Sequence, residues 1–217
     1  MTNPEFSIEF DILYNNISSN KAPGLNEYEK SVFLTKSQEQ IVTELYSGRN
    51  TTHSSFEETE EQRRYLHSLI TTSSLEESTE IDDIITSNSS IYKLPKNIMF
   101  ITYETAILTG NKEVTVYPVS QDELSKIIKN PFRGPSNNRV LRLDLGNDSI
   151  EVISNYDINK YLIRYIRKPN PIILTDLEDD LSINGISEES ECELDSSLHR
   201  TILDRAVALA LQTMYSK

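Results

Sequence analysis

The sequence predicts an α+β fold, with helices at both ends of the chain and a β-rich middle of about five strands. Apolar residues recur at helical spacing near the N-terminus and again from about Ser196. Between residues 91 and 174, short runs rich in β-branched and aromatic residues alternate around glycine and asparagine turns. Hydrophobic residues make up 37% of the 217 positions, which is enough for a lean core. We therefore expect one principal domain with helical extensions.

Two helices are predicted for the N-terminal helical region, residues 1–48. The second helix begins after Asn26 and ends at Gly48, and a capping-box pattern at residues 35–38 predicts an interruption where the helix restarts. An antiparallel pair is the simplest packing for these two helices. The first helix has apolar residues spaced by four, three and four, which share one face: Phe6, Phe10, Leu13 and Ile17.

Residues 49–90 form a polar connecting segment that is rich in serine, threonine and glutamate. The segment has few apolar anchors before residues 81–85, so it lies near the limit of what can fold alone. We expect it to be weakly ordered, with a short helix over residues 56–65 and a strand over residues 66–72.

The β-rich domain, residues 91–174, contains the clearest strand patterns in the chain. Glycine and asparagine at residues 110–111 and 146–148 mark the turns of two hairpins. A short helix is predicted around residues 124–128, between the hairpins. Five strands are predicted, at residues 98–104, 112–118, 140–145, 149–153 and 161–167.

The C-terminal part is predicted to consist of an acidic loop, residues 175–195, and a helix, residues 196–217. Ala206, Ala208 and Ala210 keep this helix thin, so that another helix can approach it closely. We interpret the helix as an assembly element. Its apolar face is formed by Leu198, Ile202, Ala206 and Leu209.

The net charge of −13 is unevenly distributed along the chain. Residues 56–83 carry nine acids and two bases, and residues 176–195 carry nine acids and no base. The middle, residues 91–174, carries twelve bases and eight acids. Negative charge argues against nucleic acid as a tightly held ligand, because lysine and arginine provide most of that affinity. The acidic segments are either a complementary surface for another subunit or partner, or two solvated loops.

No residue pattern predicts a catalytic, cofactor-binding or metal-binding site. His53 and His67 lie in the weakly ordered segment, and His199 is predicted to be a polar surface residue in the first turn of the last helix. Cys192 is the single cysteine, so it can form no intramolecular disulfide and completes no zinc site with His199. The glycines lack the spacing of a phosphate-binding loop. We expect neither enzymatic activity nor a cofactor.

The chain also lacks the sequence signals of membrane insertion and secretion. No run approaches the roughly 20 apolar residues that cross a bilayer, and the N-terminus lacks the pattern of a secretory signal. We therefore expect a protein that is made in a cytoplasm and has no membrane partner.

Five residues of the β-rich domain are predicted to contact another subunit. Arg133 and Arg139 bracket a Gly-Pro loop. Arg164 and Arg167 are interleaved with tyrosines that include Tyr161, and this run could contact phosphate. Alternation along a strand favours a salt-bridge role at a sheet edge instead. Together with the apolar face of the last helix, these residues are the predicted subunit interface.

The chain contains six further motifs in the order Asn130-Pro131-Phe132, Val140-Leu141-Arg142-Leu143, Tyr161-x-x-x-Tyr165-Ile166-Arg167-Lys168-Pro169, Pro171-Ile172-Ile173-Leu174, Glu191-Cys192-Glu193-Leu194 and His199-Arg200-x-Ile202-Leu203-x-Arg205-Ala206-Val207. This series resembles virion structural proteins of crAss-like tailed phages, and most closely their neck or tail-ring proteins. Residues 5–44 also resemble the opening of such proteins. The resemblance implies a helical bundle with a β-rich insertion, assembled into a homo-oligomeric, twelvefold ring. DNA would pass through this ring without sequence-specific binding.

Two functional hypotheses follow. In the first, the chain is a structural subunit of a phage head-to-tail connector or tail ring, which binds the portal protein and neighbouring tail proteins. Such a subunit would be made in the host cytoplasm and located in the neck or tail of the virion. In the second, the chain is a soluble acidic binding module that docks on a basic partner protein.

Overall fold

The described residues of the computed structural model fold into two compact units. We call the first the helical unit, residues 1–69 and 168–217, and the second the sheet unit, residues 70–167. The apolar run at residues 81–85 and His53, both named in the sequence predictions, lie outside the described residues. The described residues are 1–17, 24–49, 55–78, 86, 88–178 and 180–215.

Five α-helices and seven strands occur within these described ranges. The helices are α1 (Asn3–Ile17), α2 (Glu27–Ser47), α3 (Glu60–Tyr65), α4 (Leu124–Ile128) and α5 (His199–Tyr215). The strands are β1 (Ile70–Leu75), β2 (Ser89–Lys93), β3 (Ile98–Leu108), β4 (Lys112–Val119), β5 (Arg139–Gly146), β6 (Ser149–Ile153) and β7 (Ile158–Arg167).

The boundaries of α2 confirm the predicted start and stop. Asn26 accepts a hydrogen bond from the backbone N–H of Glu29 at 2.8 Å, and the Glu29 carboxylate accepts one from the Asn26 N–H at 2.9 Å. This reciprocal pair is a capping box. At the other end, Gly48 has a φ of 73°, the left-handed conformation that glycine adopts without steric cost.

The predicted interruption of α2 at residues 35–38 is wrong. Thr35, Ser37 and Gln38 are buried, and their side chains bind backbone groups of neighbouring segments and not the N-terminus of a new helix. Thr35 accepts from the N–H of Ile172 at 3.0 Å, and Ser37 donates to the carbonyl of Ile202 at 2.8 Å. These contacts fix α2 to its surroundings, so the helix continues through residue 47.

The core of the helical unit forms around α5, which contacts both α1 and α2. Helix α1 buries Phe6, Phe10 and Tyr14, and α2 buries Leu34, Ile41 and Val42. Helix α5 contributes Ile202, Leu203, Ala206 and Val207. The expectation that the first two helices pair mainly with each other is therefore incomplete, because α5 is a packing partner of both.

The acidic segment, residues 175–195, was predicted to be a loop, but it contains backbone hydrogen bonds and buried side chains. Ile173 exchanges two backbone hydrogen bonds with Ser190, at 3.0 and 3.1 Å, so the segment returns along its own start. Ile183 and Leu194 are buried in the helical unit. The prediction that this segment is too polar for the core is wrong at these two residues.

The sheet unit contains one seven-stranded sheet with the order β1-β7-β3-β4-β5-β6-β2. The two predicted hairpins are confirmed as the antiparallel pairs β3–β4 and β5–β6, and β4 and β5 pair in parallel. Both faces carry apolar residues. Val140 and Val152 belong to one cluster, whereas α4 packs with Leu141 and Ile153 in a second cluster.

The expected helical bundle with a five-stranded insertion is wrong. The protein has five helices and a seven-stranded sheet within the described residues, and the sheet dominates the fold. The additional strands are the edges. Strand β1 begins at Ile70, four residues later than the predicted 66–72 strand, and β2 begins in the last two residues of the segment expected to be weakly ordered. Both contain serine where a central strand needs apolar residues, so pairing with β7 and β6 orders them.

Candidate functional site

The predicted interface residues of α5 are mostly used inside the helical unit. Leu198, Ile202 and Ala206 are buried, and only Leu209 is partly exposed. The apolar face predicted from the sequence is therefore real, and three of its four residues pack within the subunit.

The residues of β7 that were predicted to contact another subunit lie on different faces of the strand. Tyr161 is fully buried, and its hydroxyl donates to a Glu104 carboxylate oxygen at 2.9 Å. Arg164 is exposed and Arg167 is half-buried. Because β7 pairs with β1 on one side and with β3 on the other, the predicted edge-strand role is wrong.

Arg133 and Arg139 belong to a loop at residues 130–139, between α4 and β5, which we call the arginine loop. Arg139 donates to the carbonyl of Phe132, and its guanidinium carbon lies 5.2 Å from the centroid of the Tyr117 ring, a cation–π distance. Arg133 is exposed. Both arginines line a groove of about 260 Å³, whose other lining residues include Tyr117, Val119, Ile127 and Leu141.

The arginine loop is held in one conformation by its own backbone. The N–H of Gly134 donates to the carbonyl of Asn130 at 2.7 Å, and the Asn130 side chain accepts from the N–H of Phe132 at 2.9 Å. A Cβ atom at Gly134 would lie 2.9 Å from the Asn130 carbonyl oxygen, so glycine is required by close approach. Phe132 is left 87% exposed on this fixed loop. The sequence prediction missed Phe132 as a contact residue, although a phenylalanine between proline and arginine in a turn signals an exposed aromatic.

A second exposed apolar surface lies on α1. Ile8 and Ile12 are 60% and 54% exposed and are spaced by four, so they share a helix face. The predicted stripe contained Phe6 and Phe10, which are buried on another face. The sequence prediction missed the Ile8–Ile12 pair because it assumed a single apolar face.

A buried ionic network crosses the sheet unit. The Arg142 guanidinium lies 2.9 Å from the Glu104 carboxylate, which also accepts from Tyr161. Burial raises the pKa of Glu104, and the positive charge of Arg142 opposes that shift. Burial and the Glu104 charge raise the pKa of Tyr161, so its hydroxyl stays protonated and donates. All three side chains are buried and contact one another inside the sheet unit, which is the arrangement of a structural network.

His199 is buried and not on the surface as predicted. Its Nε2 lies 3.1 Å from the carbonyl oxygen of Leu194, and its Nδ1 lies 2.6 Å from the Met1 ammonium. Burial lowers the pKa of the imidazole. A neutral ring, with Nε2–H donating and Nδ1 accepting, satisfies both contacts. The histidine therefore joins the start of α5 to the N-terminus of the chain.

Cys192 is also unreactive in its surroundings. Burial raises the pKa of its thiol to about 11, and its Sγ donates to the Gln38 side chain at 3.2 Å. In the part of the chain that the structure describes, no three His, Cys, Asp or Glu side chains are grouped to hold a metal ion. No helix among the described ranges is long and apolar enough to span a bilayer.

Comparison with known proteins decides the family. The sequence profile of the phage tail ring protein 3/4 family matches residues 1–217. The chain belongs to this family of phage tail ring proteins. Ring protein 3 of Bacteroides phage crAss001 is 49% identical over 221 residues, which cover 97% of this chain and 95% of that protein. Ring protein 4/5 of the same phage is 38% identical over 216 residues, which cover 95% and 90% of the two chains.

Membership of the ring-protein family confirms the resemblance to crAss-like phage proteins. The chain is a phage structural protein associated with the virion and not an enzyme. For a structural ring protein, the exposed arginine loop and the Ile8–Ile12 face are candidate assembly surfaces, whereas the Glu104–Arg142–Tyr161 network belongs to the core of the subunit.

Proposed function

We propose that this ring-family chain is a subunit of the head-to-tail connector or tail ring of a crAss-like phage. Copies of the chain close a twelvefold ring around the DNA conduit, with the portal protein on one side and further tail proteins on the other. The observation that carries this proposal is the nearly full-length match to two proteins that are named ring proteins in one phage.

The exposed apolar residues of the subunit support this proposal. Ile8 and Ile12 on α1, and Phe132 on the arginine loop, are all more than half exposed. Grouped apolar residues on a protein surface commonly mark contacts with other proteins. A ring offers such contacts, both between its copies and with the rings above and below it. We assign the α1 face to the neighbouring ring or the portal.

The charge of the subunit fits a conduit for DNA. The helical unit carries ten bases and 21 acids, a net charge of −11, and the sheet unit carries 11 bases and 13 acids, a net charge of −2. Carboxylates that lined the channel would repel the phosphate backbone, so DNA would slide through without being held.

Native mass spectrometry of the purified chain, alone and mixed with the portal protein of its phage, tests the proposal. We expect a closed oligomer of about twelve copies, either in the chain alone or on the portal. A chain that stays monomeric in both samples would contradict the proposal.

The charge of the helical unit also favours a second candidate, an acidic module that docks on a basic partner. In that case, the only complex would be a salt-sensitive one with such a partner, and no ring would form.

A further inference from the structure

We propose that the arginine loop and its groove in one copy bind Glu178, Asp180 and Leu181 of the next copy, three residues that we call the acidic turn. This inference rests on the proposed ring function and names its contact between neighbouring copies. Leu181 of one copy enters the groove of the other, Asp180 and Glu178 pair with Arg133 and Arg139, and Phe132 covers the contact.

The groove has the chemistry to receive an apolar residue that is flanked by acids. Its volume is about 260 Å³, and Ile127, Val119 and Leu141 supply apolar lining. Arg133, Arg139 and Glu123 line the same groove, so two positive charges and one negative charge lie beside the apolar surface. Arginine and aromatic residues are enriched among the residues that contribute most to protein interfaces.

The arginine loop is also preorganised for binding. Arg139 is fixed by the Phe132 carbonyl and by the Tyr117 ring, and Gly134 closes the loop on Asn130. An interface residue that is already held in place loses little conformational entropy when a partner binds. Phe132 is 87% exposed on this loop, so the subunit presents an aromatic side chain that its own chain does not cover.

The acidic turn presents the complementary groups. The N–H of Leu181 donates to the carbonyl of Glu178 at 2.8 Å, which closes a turn in the helical unit. Leu181 is 38% exposed, and Glu178 and Asp180 beside it are exposed. The turn lies in residues 176–195, which carry nine acids and no base. An exposed leucine that directly follows carboxylates matches a groove that combines apolar lining with guanidinium groups.

The two surfaces are different, which determines how copies can assemble. A contact between unlike patches of identical chains is heterologous, so each copy binds one neighbour through its groove and another neighbour through its turn. Repeated contacts of this kind close into a ring when the rotation between copies allows it. A contact between like patches would stop at a dimer.

Two double variants test the contact, each of which disables one surface. Phe132→Ser with Arg133→Ser disables the groove, and Asp180→Ser with Leu181→Ser disables the turn. All four residues are exposed, so we expect unchanged melting temperatures. Each variant alone should associate at least tenfold more weakly than the native chain. An equal mixture should form one-to-one dimers and nothing larger, because one intact groove meets one intact turn. Tyr156→Ser, an exposed aromatic outside the contact, should assemble like the native chain.

Cross-linking covers the case in which the native chain assembles only on the portal. Chains that carry Arg133→Cys are mixed at high concentration with chains that carry Ser182→Cys, in the presence of portal, and the mixture is then oxidised. The control pair is Tyr156→Cys with Ser182→Cys. Cys192 is present in every chain and is half-buried with its thiol donating to Gln38, so it contributes equally to the test pair and the control pair. We expect at least tenfold more linked dimer from the 133–182 pair than from the control.

Several outcomes separate this contact from the ring function itself. If the native chain forms a ring and the groove and turn variants form it equally well, the contact is overturned and the ring function stands. Equal cross-linking of the test and control pairs overturns the contact in the same way. A native chain that forms no oligomer with or without portal, and no excess cross-link, overturns both.

Discussion

At the scale of single residues, the largest energetic effect is expected at the buried pair of Arg142 and Glu104. Removing one member leaves an uncompensated charge in the core, which costs about 3–5 kcal/mol in other proteins. We expect Arg142→Met to lower the free energy of unfolding by about that amount, measured by urea denaturation. Arg142→Met combined with Glu104→Gln should recover most of the loss, because the charge left behind is then removed.

The matched control for this prediction is Arg164→Met. Arg164 is exposed on β7 and bonds to Thr72 at 3.4 Å, so its loss should change the free energy of unfolding by less than about 0.5 kcal/mol. Equal effects at Arg142 and Arg164 would contradict the structural role of the network.

His199 is expected to make the stability of the protein depend on pH. Its burial lowers the pKa of the imidazole in the folded state below the ordinary histidine value of about 6.5. The unfolded chain therefore binds a proton at this histidine more readily, and stability falls as the pH drops below the unfolded pKa. The groups around the ring are the Met1 ammonium, the Leu194 carbonyl, the Phe6 ring, Asp195 and Glu191.

The measurement compares thermal unfolding of the native chain and of His199→Gln at pH 7.5 and pH 5.5. His199→Gln should be less stable at pH 7.5 and should lose less stability on acidification than the native chain. His67→Gln, at an exposed histidine, should follow the native chain. If all three proteins lost the same stability, His199 would not be the group responsible.

These residues mark what the sequence could not predict. Apolar periodicity identified the buried faces of α1 and α5, but it carries no information about which polar residues find partners across the fold. Glu104, Arg142 and Tyr161 are separated by up to 57 positions in the chain. They meet because the sheet places β7 next to β3 and places β5 two strands from β3. Phe132 was visible as a motif, yet its exposure follows from the turn that Gly134 closes.

At the scale of elements, α2 depends on its cap. Asn26 and Glu29 satisfy each other's N–H groups at the first turn. We expect Asn26→Ala to lower the free energy of unfolding by about 1 kcal/mol, measured by chemical denaturation. Asn26→Ser, which retains a side-chain acceptor, should restore most of the loss. An alanine variant as stable as the native chain would show that packing against α5 alone holds the start of the helix.

The accuracy of the element predictions follows the strength of local signals. The hairpin turns at Gly110 and Gly146 have positive φ angles of 88° and 86°, and these positions were predicted from glycine and asparagine alone. The edge strands β1 and β2 contain few apolar residues, so only pairing with β7 and β6 defines them. The prediction of an interruption in α2 was wrong for a related reason. Thr35 and Ser37 bind backbone groups of distant segments, and the sequence pattern of a capping box does not show whether such side chains bind distant groups or cap a new helix.

At the scale of the whole molecule, the uneven charge predicts two opposite responses to salt. The helical unit carries a net charge of −11, so its carboxylates repel one another within each subunit. The Debye length, over which charges interact, shortens from about 10 Å at 0.1 M salt to about 3 Å at 1 M salt. This stronger screening weakens the repulsion between the carboxylates. The same screening weakens attraction between the exposed arginines of one copy and the exposed carboxylates of the next.

We therefore expect the melting temperature of the isolated subunit to rise with sodium chloride while association between copies becomes weaker. Sedimentation analysis at 0.1 M and 1 M salt should show a loss of affinity in the native chain that is smaller in Arg133→Gln, because that variant lacks one of the screened charges. Phe132→Ser should weaken association at both salt concentrations by a similar factor, since its contribution is apolar. The same salt dependence in Arg133→Gln as in the native chain would exclude Arg133 from the contact and would locate the electrostatic attraction elsewhere on the subunit.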